Sequence, residues 1–229
     1  MNRILLVGIA ATMLVATAPA QGRNRGQNAQ DRIQQRAGSV VQNALELQAK
    51  QFDPLELIYR QDVQKDLKLD LGQRNKLDNL HDQQVREIAE AVRQNRRNRN
   101  GALAEPQEKA RAETQAKIDE LLTPEQKARL KQISLQLMGN RALFMSDVQA
   151  KVEITEPQKA QLTAIEAQQS AKINQLQTQV ARRQVRSDDL PAMLDTINKE
   201  TDDSIAAVLS DAQKKSLQSL FGEKFKADR

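Results

Sequence analysis

The sequence predicts an all-α protein of long antiparallel helical hairpins, arranged as two similar halves in tandem. Three observations carry this expectation. Aromatic residues make up only 2% of the chain and tryptophan is absent, whereas the good helix formers Gln, Ala, Lys, Arg and Leu dominate. A body so poor in large rings must fill its interior with shallow layers of Leu, Ile, Val and Ala, which suits packed helices better than a sheet sandwich. Apolar residues also recur at helical spacing along otherwise polar stretches, and one helix-start pattern occurs four times.

Taken in order, the chain opens with Arg3, the apolar run ILLVGIAATMLV, and Ala18-Pro19-Ala20 before Gln21. These are the three parts of a secretory signal peptide, so residues 1–20 are expected to be removed on export. The run from Ile4 to Val15 is shorter than the roughly 20 apolar residues that span a bilayer, and no stable membrane insertion is expected. With no cysteine in the chain, neither a disulfide nor a lipidated cysteine is possible. Residues 21–39 are polar and basic with little apolar content, and are expected to be disordered.

The folded body follows as two units, residues 40–138 and 139–229. IYRQDVQKDLKLDLGQRNKLDNL from Ile58 aligns with LFMSDVQAKVEITEPQKAQLTAI from Leu143, an offset of 85 (143 − 58). IDELLTPEQKARLKQI from Ile118 aligns with IAAVLSDAQKKSLQSL from Ile205, an offset of 87 (205 − 118). Two nearly constant offsets indicate one unit duplicated in tandem. Each unit reads as a short helix, a helix start, a long amphipathic helix, a polar break, another helix and a second helix start. Leu77, Leu80, Val85, Ile88 and Val92 form the apolar stripe of the first long helix, and Leu162, Ile165, Ile173, Leu176 and Val180 that of the second. The breaks RRNRNGALAEPQ, before Glu108, and RSDDLP, before Ala192, turn each pair of helices into a hairpin.

The helix starts are LTPEQ, with Leu122, Thr123 and Gln126, and three variants of it. These are Leu69, Asp70 and Gln73; Ile154, Thr155 and Gln158; and Leu209, Ser210 and Gln213. The Asp, Thr or Ser oxygen accepts from the free amides of the first turn. The glutamine three residues later reaches back to the cap residue's own N–H, which completes a capping box.

On these residues the chain resembles the Spy/CpxP family of periplasmic proteins, whose mark is a pair of LTxxQ motifs. The resemblance covers roughly Ile58 to Phe221. It implies a small all-α protein that pairs into a curved cradle and holds partly unfolded envelope proteins without ATP. Since each half carries two motifs, like one family subunit, the chain is expected to be a fused pseudo-dimer, either a monomer with internal pseudo-symmetry or a homodimer. The implied location is the periplasm, and the implied partners are unfolded or partly folded envelope proteins. The alternative is a non-enzymatic adaptor that docks one envelope component or membrane sensor.

Catalytic chemistry is not expected. The chain has a single histidine, His81, no cysteine, and Ser and Thr residues that fall mainly at helix caps, so no nucleophile with its base is recognisable. One His and five Met make a metal site improbable in composition, and no glycine-rich phosphate loop is present, so no cofactor is expected. Arg93, Arg96, Arg97 and Arg99 end the first long helix, and Arg182, Arg183 and Arg186 end the second. Such clusters complement the helix dipole, and are also the candidate client-binding charges that would steer acidic partners. They lack interleaved aromatics for base stacking, so nucleic acid is not expected as a partner.

Overall fold

The structure is a computed structural model, and it describes residues 25–98 and 104–227. Among the described residues every regular element is helical, in agreement with the all-α expectation. The α-helices are α1 (Arg25–Lys50), α2 (Pro54–Leu57), α3 (Gln61–Asp66), α4 (Leu71–Asn98), α5 (Ala104–Leu121), α6 (Pro124–Met138), α7 (Ser146–Val152), α8 (Glu156–Ala181), α9 (Leu190–Val208) and α10 (Asp211–Phe221). Short 3-10 turns occupy Gly139–Phe144 and Ser187–Asp189.

The structure differs from the sequence expectations in three places. Residues 25–39, expected to be disordered, belong to α1. Their Gln, Ala and Arg content is compatible with a helix, and burial of Ala37 and Val41 gives that helix a docked face that composition alone hides. The second difference concerns the unit borders. The chain clusters into one unit of residues 50–137 with 221–229, and another of residues up to 49 with 138–220. Residues 40–49 therefore pack with the second half, and the C-terminal tail with the first. The signal-peptide expectation, residues 1–20, lies outside the described residues. The helix placed after the first break begins at Ala104 rather than Glu108; Pro106 sits in its first turn, where a missing N–H breaks no helical bond.

In the unit built on residues 50–137, α4 and α5 form an antiparallel hairpin closed at its base by α2, α3 and α6. Leu57, Ile58, Val63, Leu77 and Ile133 are fully buried in one cluster with Ile118, Leu122 and Leu130. The tail adds Phe225 to the same cluster, where Arg60 lies 5.8 Å above its ring. Arg129 holds the tail in place: it grips Asp66 through two bonds, of 2.6 and 3.0 Å, and donates to the Glu223 carbonyl.

In the unit built on residues 138–220, α8 and α9 form the hairpin and α7 lies at its base. Leu143, Val148, Leu162 and Ile205 are buried. Here α1 is a third layer: Val41, with no exposed surface, clusters with Ile173, Leu176, Leu190 and Leu194. A polar chain fixes its register. Gln169 donates to Asn198, Asn198 to Gln48, and Gln48 to Asp195.

Several local features occur once in each unit at the sequence offsets. The Gln64 side chain donates to the Ile58 carbonyl, and Gln149 to that of Leu143. Lys68 and Glu153 both adopt left-handed backbone, with φ of 51° and 56°. Around them the N–H of Leu69 reaches the carbonyl of Gln64, and that of Ile154 the carbonyl of Gln149, the 6→1 bond that ends a helix in a Schellman motif.

Candidate functional site

The four helix starts come together in two pairs, one inside each unit. Asp70 and Gln73 cap α4 reciprocally, at 2.8 and 3.1 Å, and Thr123 and Gln126 cap α6, at 3.3 and 3.0 Å. The same boxes begin α8 at Thr155 and Gln158, and α10 at Ser210 and Gln213. Within a pair the glutamines then bond each other. Gln73 donates to Gln126 at 2.8 Å, and Gln126 donates back at 3.1 Å. Gln158 and Gln213 exchange bonds of 2.7 and 2.8 Å.

The second N–H of each amide closes a helix end. Gln73 donates to the Leu121 carbonyl and Gln126 to that of Leu67. Gln158 donates to Val208, and Gln213 to Glu153. These carbonyls lie at the C-terminal ends of the helices that precede the partner motif, where no intrahelical donor remains. Each glutamine thus satisfies one amide of its own helix start and one carbonyl at the partner's threshold. The apolar residue ahead of each cap is buried: Leu69, Leu122, Ile154 and Leu209. Sequence reasoning found the caps and missed the pairing. The available signal was that glutamine stands at all four third positions while the cap varies among Asp, Thr and Ser; a capping box accepts Glu equally, but only an amide also donates.

The long helices divide into covered and open faces. Leu77, Leu162, Ile173 and Leu176 of the predicted stripes are buried, whereas Val85 is 53% and Ile88 37% exposed. Leu80 packs at the edge of the core, Val180 against the α1 cluster, and the Val92 side chain lies outside the described residues. On α1 a second open stripe runs through Ile33, Val40 and Leu47 at seven-residue intervals. A shallow groove of about 410 Å³ between α4 and α5 is lined by Lys76, Leu80, Gln83, Lys117 and Leu121 among others.

Of the arginine clusters, Arg93, Arg182, Arg183 and Arg186 are exposed, and Arg186 pairs with Asp188 at 3.3 Å. The side chains of Arg96 and Arg97, and all of Arg99, lie outside the described residues. His81 is exposed and meets the Tyr59 ring at 4.7 Å. Tyr59 presents a buried hydroxyl without a hydrogen-bond partner among the described residues, and burial, with Glu56 nearby, raises its pKa. Among the described residues, no cluster of three or more His, Cys, Asp or Glu side chains is arranged to hold a metal ion. No described helix is long and apolar enough to cross a membrane.

No family model, no curated protein and no solved structure matches the chain.

Proposed function

We propose that the protein is an exported, ATP-independent holding chaperone of the Spy/CpxP type. Its two halves are the tandem copies of one ancestral subunit, fused as a pseudo-dimer. It works in the periplasm after loss of residues 1–20 and binds partly unfolded envelope proteins without chemistry on them. The observation that carries this reading is where the exposed large apolar side chains lie. Ile33, Val40 and Leu47 on α1, with Leu71, Val85 and Ile88 on α4, stand exposed on long amphipathic helices. Isolated apolar residues are ordinary on any surface, but stripes aligned along helix faces offer shallow, repeated contacts for exposed segments of a client. Burial of a few hundred Å² at about 25 cal/mol/Å², set against the cost of association, gives weak and reversible capture.

The paired glutamines support the reading indirectly, by tying the start of α4, and with it the face of Val85 and Ile88, to the end of α5. The test is light scattering of a heat-destabilised model protein in the presence of the chain from Gln21, without nucleotide. Suppression at a few-fold molar excess is the expected result. No suppression at any ratio sinks the holding reading and leaves the adaptor that docks a single envelope component.

A further inference from the structure

The two hairpins differ in exposure at matched positions. Leu77 of α4 and Leu162 of α8, 85 residues apart, are equally buried. Ile88 and Ile173 are related by the same offset, yet Ile173 is 4% exposed and Ile88 37%. In the unit of α8 and α9 what covers this region is α1, an amphipathic helix whose Val41 clusters with Ile173 while Ala44 and Leu45 pack alongside. On α4 the corresponding face is open, and Val85, where α8 has Ser170, adds to it a second apolar side chain that is 53% exposed.

We propose that the α4 face at Val85 and Ile88 is a docking site for an amphipathic helix of a partner protein, seated as α1 is seated on α8 and α9. The inference rests on the tandem reading above and deepens the holding one by naming what is held. A helix face with apolar side chains three residues apart accepts another helix with apolar residues at three- and four-residue spacing. The chain's own α1 is not free to serve, because Val41 and the Gln48 bonds to Asn198 and Asp195 commit it to α8 and α9.

The composition of the two faces sets the lifetime of the contact. The covered face presents Ile173, Leu176, Val180, Leu190 and Leu194. The open face presents Ile88 and, where α8 has Ser170, Val85. Fewer apolar groups mean a shallower contact, and so an exchangeable occupant where the other unit has a resident one.

The experiment uses the full chain from Gln21 and a fluorescent peptide of residues 33–50 as the probe helix, read by anisotropy. Saturable binding is expected, weakened at least tenfold by Val85→Glu and by Ile88→Glu, and lost when the peptide carries Val41→Asp and Leu45→Asp. Both chain substitutions fall on exposed positions, and circular dichroism verifies that the fold is kept. Binding that survives Val85→Glu and Ile88→Glu overturns the inference. A dimer that Ile88→Glu dissociates in sedimentation also overturns it, since the occupant is then a second copy. No peptide binding alongside intact suppression of aggregation overturns the inference but leaves the holding reading. Peptide binding that Ile88→Glu abolishes, without suppression of aggregation, supports the inference and removes the holding reading.

Discussion

A glutamine side chain has one acceptor oxygen and one amide that donates twice, and at Gln73, Gln126, Gln158 and Gln213 both donors and the oxygen are engaged. Replacement of Gln126 by Glu keeps the acceptor for Thr123 but removes the donors to Leu67 and Gln73, leaving a half-buried carboxylate against an amide oxygen. The expected cost near neutral pH is about 2 to 3 kcal/mol in urea unfolding, partly recovered as the pH falls and the carboxyl regains a proton to donate. Loss of less than about 0.5 kcal/mol would mean that the pair contributes little beyond ordinary capping. A second residue carries a pH signature. Burial raises the Asp202 carboxyl above its ordinary value, against the opposing pull of Arg141. The folded state therefore holds that proton more tightly than the unfolded one, and the stabilising contribution is full below the ordinary carboxylate pKa and lost as pH rises through the raised value. Stability of the native chain relative to Asp202→Asn should fall as the pH rises above the ordinary carboxylate range; a flat difference refutes the assignment.

Helix ends decide how the elements connect. The chain leaves α10 through Gly222, whose φ of +64° suits glycine, and an added Cβ would overlap the Gln132 side-chain amide. From there the tail runs past Gln136, which donates to the Phe221 and Glu223 carbonyls and accepts from the N–H of Phe225. Gly222→Ala is expected to destabilise by about 1 to 3 kcal/mol, combining left-handed strain with displacement of Gln132. The expected sign of failure is release of Phe225, seen as a shift in its aromatic proton resonances; an unchanged melting temperature and spectrum would show that the tail does not depend on this turn. The helix end at Lys68 is harder to see in a sequence, because left-handed backbone is occupied there by a residue that does not advertise it.

Charge acts at the scale of the whole molecule. The formal charge is +5, and the exposed arginines of the two clusters are Arg93, in the C-terminal part of α4, and Arg182, Arg183 and Arg186, just beyond the end of α8. If these ends steer acidic clients, association slows as salt shortens the Debye length from about 30 Å at 0.01 M to about 8 Å at 0.15 M. Stopped-flow capture of an acidic and a basic client, compared across that range, should show a salt-dependent rate for the acidic one alone. Equal salt dependence would leave the arginines as dipole partners of their helices.

The sequence by itself determined the helical class, the four caps and the recurrence of one pattern at offsets of 85 and 87, because these depend on local spacing along the chain. It placed Leu77 and Leu162 on buried faces for the same reason, since period and apolarity are enough to choose a face. It could not tell Ile88 from Ile173. Their local patterns are alike, and what buries Ile173 is α1, which lies more than a hundred residues from α8. The pairing of Gln73 with Gln126, 53 residues apart, was likewise decided by tertiary structure. A capping box is satisfied within one turn, so nothing local reveals that the same amide also closes a second helix. The membership of α1 and the tail was settled in the same way, by which apolar faces the folded chain leaves open for them to cover.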